Sequence, residues 1–161
     1  MEQGVVSVYY GEGHGKSTAA LGQALLAAGC GKNVVVIQFL KGKEEKEISF
    51  LTRLEPEFKF FRFAKSEKGF DELTDEEKAE ECVNLKNGFN YGKKVVSTGE
   101  CDLLVMDEIL GLIDHGVITM EDIDSLLAAK PDDVTVIFTG RVLDDGMRAR
   151  VDEIYNIASE K

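Results

Sequence analysis

A glycine-rich loop between an apolar segment and an alanine-rich segment constrains the fold more than any other part of the sequence. The loop reads Gly11-Glu12-Gly13-His14-Gly15-Lys16-Ser17-Thr18. Val5–Tyr10 before it is β-branched and aromatic, as in a buried strand. Ser17–Ala28 after it has the composition of a helix that stops at Gly29. A strand, a glycine loop and a helix in this order predict a phosphate-binding loop.

Each part of this loop has a physical role in holding an anion. Glycines at positions 11, 13 and 15 allow backbone angles closed to other residues and a close approach to a ligand. The amide N–H groups of residues 11 to 17 are expected to form an anion nest at the positive end of the helix dipole. Lys16 adds a full charge, and Ser17 or Thr18 supplies a hydroxyl for Mg²⁺. The common spacing would place glycine at position 10, where this chain has Tyr10. We still predict that residues 11 to 18 bind the triphosphate of a nucleotide.

Further strand and helix patterns alternate along the chain. Strands are predicted at Asn33–Leu40, Phe58–Phe63, Asp102–Met106, Val134–Thr139 and, as an edge strand, Val151–Ile157. Helices are predicted at Thr74–Val96, which starts with a capping box of Thr74 and Glu77, and at Met120–Ala129. Such βαβ units predict one α/β domain over residues 1–161, an open and mostly parallel sheet with helices on both faces, similar to P-loop NTPases of the RecA-like type. Ligands of these sheets bind at the carboxyl ends of the strands.

Two acidic residues end the pattern Leu103–Glu108 (LLVMDE). An acid at this place in P-loop proteins holds Mg²⁺, so Asp107 and Glu108, together with Ser17, are the predicted metal ligands. Their hard oxygen atoms suit Mg²⁺ or Mn²⁺ and not zinc. If the strand continues, the two acids point to opposite sides, and we expect one to face the metal and the other a neighbouring loop. The alternative is a strand end that reaches solvent.

Two basic residues follow the ends of other predicted strands. Arg141, in Phe138-Thr139-Gly140-Arg141, has the reach to bind a phosphate bidentately, and a surface salt bridge is the alternative. Lys41, in Gln38-Phe39-Leu40-Lys41-Gly42, either faces the ligand in the same crevice or is solvated. His115 lies at a helix-to-loop corner and is interpreted as a structural or surface residue.

Charge and cysteine content exclude several classes of partner. Nineteen Lys and Arg against thirty Asp and Glu give a net charge of −11, which repels nucleic acid and anionic membranes. No apolar run approaches the ~20 residues that span a bilayer, and Met1–Tyr10 lacks a signal-peptide pattern. The three cysteines are far apart, which argues against a disulfide framework or a zinc site. Reduced thiols in the cytoplasm are expected.

Four segments together resemble the ATP:corrinoid adenosyltransferases, the P-loop type of cob(I)alamin adenosyltransferase. They occur in the family's order and approximate spacing: Gly11–Thr18, Gln38–Gly42, Met106–Ile109 with Asp114–Gly116, and Thr139–Arg141. The shifted first glycine is similar to that family's loop. The resemblance implies that the Co(I) of a reduced corrinoid attacks the 5′ carbon of ATP, so that the adenosyl group passes to cobalt and triphosphate leaves. It also implies that the loop holds ATP in the reverse orientation to most P-loop enzymes, so that the 5′ carbon of the ribose is exposed and not the γ-phosphorus.

This chemistry requires charge stabilisation and positioning, and no nucleophile or general base from the protein. Lys16 and Glu108 are therefore the predicted catalytic residues. They act with the loop amides, Ser17 and a metal on the growing charge of the triphosphate. The resemblance further implies a homodimer and a flavin-type reductase that supplies Co(I).

The chain departs from the family's pattern at several positions. Leu110 stands where the family often has Asn, and His14 where it often has Lys. There is no tryptophan, so Phe70-Asp71-Glu72 is the nearest equivalent of the Phe-x-Trp element that covers the corrinoid. The cluster Phe58, Phe60, Phe61 and Phe63 is predicted to be a core strand, with apolar contact to the corrinoid as the alternative.

Two other functions remain open on the same scaffold. A small-molecule kinase would use Arg148 and Arg150 in a lid over its acceptor site. A non-catalytic nucleotide-binding switch would use its ATP state to control a partner.

Overall fold

One six-stranded sheet organises the residues that the computed structural model describes, which are 3–13, 15–40, 51–63 and 69–161. Within them every strand pairing is parallel, in the order β3-β2-β4-β5-β1-β6. The strands are β1 Val6–Tyr10, β2 Val34–Phe39, β3 Phe58–Phe63, β4 Leu103–Asp107, β5 Thr135–Gly140 and β6 Glu153–Asn156. Each lies within two residues of its predicted bounds, and β6 is at an edge, as predicted.

Helices cover both faces of this sheet. They are α1 Gly15–Gly29, α2 Asp75–Ser97, α3 Ile109–Asp114, α4 Met120–Ala129 and α5 Asp145–Arg148. Helix α1 packs Ala20 and Ala24 against one face, in a cluster that includes Val36 of β2. Leu85 of α2 and Leu126 of α4 belong to the core on the other face. The predicted α/β class is confirmed, and the described sheet is wholly parallel. Helices α3 and α5 were not predicted, because four to six residues are too few to show a helical period.

Helix α2 packs closely against the sheet at two glycines. A Cβ atom on Gly92 would come 2.9 Å from the Cε atom of Met106, and one on Gly88 would come 2.5 Å from the ring of Phe63. The helix begins with the predicted capping box of Thr74 and Glu77. Phe58 of β3 is buried, and Phe60, Phe61 and Phe63 pack against the core, so the predicted core strand is confirmed.

The cysteines are free, which agrees with the prediction of reduced thiols. Burial, with Asp102 and Glu100 nearby, raises the pKa of the Cys101 thiol to about 12. Among the described helices, none has the length and apolar character that crossing a bilayer requires.

Candidate active site

The phosphate loop is seated against the segment that follows β6. The Ile157 N–H donates to the Tyr10 carbonyl oxygen at 2.7 Å, just before the loop. A Cβ atom on Gly11 would lie 2.1 Å from the Ile157 carbonyl oxygen, and one on Gly15 would lie 2.9 Å from its Cγ2 atom. Gly11 also has a φ of 143°, which other residues rarely adopt. Both close approach and backbone angle therefore require glycine at position 11.

We expect Gly11→Ala to weaken the binding of Mg·ATP by about ten- to hundredfold, because the added methyl group forces strain of ~1–3 kcal/mol into the loop. Titration calorimetry with Mg·ATP measures the change. Gly22→Ala in α1, where a Cβ atom meets nothing within 4 Å, is the control and should bind like the wild type. Wild-type affinity in Gly11→Ala would contradict the role given to the loop.

One main-chain amide of the predicted nest, that of Gly11, takes part in strand pairing and does not point into the loop. The Gly11 N–H donates to the Gly140 carbonyl oxygen at 3.1 Å, because the parallel pairing of β1 with β5 runs on into the loop. The predicted nest of amides from residue 11 to 17 is wrong at this position.

Lys16 is buried beneath the loop, with 5 % of its surface exposed. Its Nζ atom donates to the Gly13 carbonyl oxygen at 3.1 Å and lies 3.4 Å from Oε1 of Glu108. A buried ammonium needs such partners, since an unpaired charge away from water is costly. The ammonium is thus held in place between the loop and the first acid after β4.

Asp107 is the centre of a buried hydrogen-bond cluster at the end of β4. Its Oδ1 atom accepts from the hydroxyls of Ser17 at 2.8 Å and Thr139 at 2.6 Å, and its Oδ2 atom accepts from Nε2 of Gln38 at 3.1 Å. Only 3 % of Asp107 is exposed. Both carboxylate oxygens of this buried side chain therefore have hydrogen-bond donors, as a buried polar group requires.

The chain turns sharply after Asp107, so the strand does not continue as the prediction of opposite sides required. Glu108 has a φ of 67°, in the left-handed region, and its N–H donates to Oγ1 of Thr139 at 2.9 Å. The turn brings Asp107 to Ser17 and Glu108 to Lys16. Both acids therefore meet the start of α1, and a strained backbone angle at such a place is common in functional sites.

Gln38 and Thr139 are partners of Asp107 to which the sequence analysis gave no role. Each is a polar residue near the end of an otherwise apolar strand pattern, NVVVIQFL and VTVIFT. Both are buried, and register places Gln38 and Asp107 opposite each other. A polar residue near the end of a buried strand is the signal that points to them.

A cleft of about 840 Å³ is lined by Lys16, Ser17 and Glu108 at one end. This is toward the upper end of the ~300–1,000 Å³ that small-molecule sites span. The described residues that line it are Glu12, Gly13, Lys16, Ser17, Leu40, Gly69, Phe70, Asp71, Glu72, Glu108, Gly111, Asp114, His115, Arg141 and Val142. It runs along α3, from Glu108 before the helix to His115 after it, a length of about 10 Å at 1.5 Å per residue.

The far wall of the cleft is an aromatic pair. The Phe70 ring lies 4.4 Å from the His115 ring, tilted by 37°, and Lys78 lies 5.9 Å from the Phe70 centroid. Asp71 is 3.9 Å from the imidazole, beyond hydrogen-bond distance. His115 is a surface residue, as predicted, and that surface is part of the cleft.

The remaining predicted site residues divide into three groups. Arg141 is exposed and lines the cleft. Thr18 is exposed and is not among the lining residues. His14 and Lys41 lie outside the described residues.

The two arginines proposed for a kinase lid are engaged elsewhere. Arg150 makes a bidentate pair with Asp124, at 2.6 and 3.1 Å. Arg148 lies over the ring of Tyr10 and donates to its hydroxyl at 3.3 Å. Neither is among the described residues that line the cleft, so this alternative loses its structural support.

The donor set at Asp107 fits a hard divalent cation. The Ser17 hydroxyl and the Asp107 carboxylate are 2.8 Å apart, and Glu108 follows directly. Within the described ranges no three His, Cys, Asp or Glu side chains form a metal-holding group. Mg²⁺ commonly takes one or two protein oxygens and completes its shell with phosphate oxygens and water.

Comparison with known proteins gives one consistent family. Residues 2–161 match the family described as ATP:corrinoid adenosyltransferase BtuR/CobO/CobP. Corrinoid adenosyltransferase CobA of Salmonella typhimurium is 35 % identical over 140 residues, which are 87 % of this chain and 69 % of the relative. The corrinoid adenosyltransferase of Escherichia coli K12 is 31 % identical with the same coverage. That of Pseudomonas aeruginosa is 27 % identical over 161 residues, with 99 % and 77 % covered.

Proposed function

The chain belongs to the ATP:corrinoid adenosyltransferases, and from that premise we propose that the cleft along α3 is where the 5′-deoxyadenosyl group of ATP passes to a reduced corrinoid. The Co(I) of the corrinoid supplies the electron pair for the new Co–C bond. The C5′–O bond breaks, and its electron pair leaves with triphosphate. The observation that carries this placement is buried Lys16, held between the loop carbonyl of Gly13 and Glu108 at one end of the cleft.

The triphosphate is proposed to lie over the loop and the start of α1. A chain of net charge −11 repels such an anion in general, so a local positive site is required. Lys16 provides a desolvated charge, and Arg141 provides an exposed guanidinium on the same cleft. Both interactions gain strength as negative charge grows on the leaving group, which is the condition for lowering the barrier.

Ser17 and Asp107, with Glu108 beside them, are proposed to hold Mg²⁺, or Mn²⁺ in its place. The support is the chemistry of the donors, which are hard oxygens at the end of β4 and at the start of α1. When bound, the ion supplies further positive charge to the leaving triphosphate. Thr139 and Gln38 orient the carboxylate of Asp107 for this task.

The corrinoid is proposed to lie against Phe70 and His115. These rings offer an apolar face in the cleft, and Leu40 and Val142 also line it. Their distance from Glu108, set by the length of α3, leaves room for the ribose of ATP between the triphosphate and the cobalt. Phe70 thus takes the place of the Phe-x-Trp element, with an imidazole beside it instead of an indole.

An anaerobic assay tests this function directly. Cobalamin is chemically reduced to Co(I) and incubated with the protein, ATP and Mg²⁺, and the absorption spectrum is followed. We expect the spectrum of adenosylcobalamin to appear together with stoichiometric triphosphate. ADP with a phosphorylated acceptor would indicate a kinase, and ATP binding without turnover would indicate a switch. Absence of adenosylcobalamin where a known adenosyltransferase succeeds would refute the proposal.

Two partners are proposed on the family resemblance alone. One is a second copy of the chain in a homodimer, and the other is a flavin-type reductase that supplies Co(I). A cytoplasmic location likewise stays a prediction. Sedimentation of the purified protein checks the oligomeric state.

A further inference from the structure

A row of polar side chains crosses three strands on the α1 face of the sheet. Register places Gln38 of β2 opposite Arg62 of β3 on one side and opposite Asp107 of β4 on the other. The Arg62 Nε–H donates to Oε1 of Gln38 at 3.3 Å, and Nε2 of Gln38 donates to Oδ2 of Asp107 at 3.1 Å. Arg62 is thus joined through one amide to the acid at the centre of the proposed site.

The hydrogen-bonding chemistry allows one orientation of that amide. A guanidinium only donates, and an ionised carboxylate only accepts. Gln38 has one group of each kind, so its oxygen must face Arg62 and its NH₂ group must face Asp107. Since Arg62 holds the oxygen, the NH₂ group is kept on Oδ2, while Oδ1 remains the atom shared by Ser17 and Thr139.

The burial of Arg62 lowers the stability of the folded chain. Its Nη2 atom is buried without a hydrogen-bond partner, and among described side chains it is the one such atom. A buried unsatisfied donor is destabilising, and an apolar side chain of similar length would avoid it. The bond from Nε to Gln38 is the interaction that such a replacement would lose.

We propose that Arg62 is a positioning residue of the nucleotide site, which acts through Gln38 to fix the carboxylate of Asp107. The inference rests on the proposed function in that Asp107 helps to bind Mg·ATP. Arg62 is not among the described residues that line the cleft, so its effect on binding passes through the amide. Loss of an outer partner of a ligating carboxylate commonly weakens metal affinity by about 10–100-fold.

A double-mutant cycle tests the proposal with Mg·ATP and no corrinoid. Calorimetry compares the wild type, Arg62→Met, Gln38→Leu and the double variant. We expect Arg62→Met and Gln38→Leu each to weaken binding by about tenfold. The double variant should bind no more weakly than Gln38→Leu alone. Without the Gln38 amide, Arg62 has no hydrogen-bonded connection to Asp107, so its loss adds nothing further. Arg62→Lys keeps a donor and should lose only about threefold, within the range of a single hydrogen bond.

A matched control separates positioning from general stability. Lys59→Met changes an exposed cation on the same strand and should leave Mg·ATP affinity unchanged. Full additivity in the double variant, or wild-type affinity in Arg62→Met whatever its melting temperature, would overturn the inference. If Arg62→Met does not fold, Arg62→Lys combined with Gln38→Leu serves the same comparison. Failure of the wild type to bind Mg·ATP would overturn the proposed function as well.

Discussion

Lys16→Ala is expected to lower kcat/KM for adenosyl transfer by about a thousandfold, the upper range for loss of a single transition-state donor. The substitution removes the buried positive charge of the proposed triphosphate site. It also leaves Glu108, 14 % exposed at its side chain, without the cation 3.4 Å away. An unpaired carboxylate beside the loop then repels the ligand that Lys16 would have attracted.

Two measurements check this result. The initial rate of adenosylcobalamin formation under anaerobic conditions gives the loss of activity, and calorimetry gives the loss of ATP affinity. Lys86→Ala, at an exposed position on α2, removes the same charge away from the cleft and should behave like the wild type. Unchanged rate and affinity in Lys16→Ala would refute the site.

Asp107→Asn is expected to lower kcat/KM by at least about a hundredfold, a loss comparable to that of one preorganised stabilising group. If the amide oxygen of Asn at this position accepts from the hydroxyls of Ser17 and Thr139, the NH₂ group of the same amide faces the NH₂ group of Gln38. The two donors then oppose each other, since Arg62 holds the oxygen of Gln38 on the far side. The variant also lacks the negative charge that a divalent cation requires.

The Mg²⁺ concentration at half-maximal rate measures the second effect, and we expect it to rise by at least about tenfold. Asp133→Asn is the control. Asp133 is exposed and precedes β5, so it lies at the amino ends of the strands, away from the carboxyl ends where the proposed site lies. A wild-type Mg²⁺ dependence in Asp107→Asn would remove Asp107 from the proposed metal ligands.

Much of the fold was predictable because it depends on local patterns. The largely apolar runs that become β1, β2, β4 and β5 are mostly buried, and strands covered on both faces are continuous apolar segments in the sequence. The glycines, Lys16 and Ser17 form one uninterrupted motif. Asp107 and Glu108 mark a strand end by their charge alone.

The turn at Glu108 was not predictable from such patterns. A positive φ at a non-glycine residue has no signal in the sequence, and here a hydrogen bond from its N–H to Thr139, thirty-one positions away, supports it. The Phe70–His115 pair was not predictable either, because the two residues lie in distant segments and no pattern in the sequence connects them.

The sequence by itself determined that this chain forms a parallel α/β sheet with a glycine-rich loop at the end of its first strand, because the residues that such a loop requires are consecutive in the sequence. Only the tertiary structure decided which strands are neighbours and in what register. That choice brings Gln38, Thr139 and Arg62 into one network with Asp107, and Ile157 against Gly11. Periodicity reports which face of a strand is buried, whereas contacts between distant segments depend on how all the buried faces pack together.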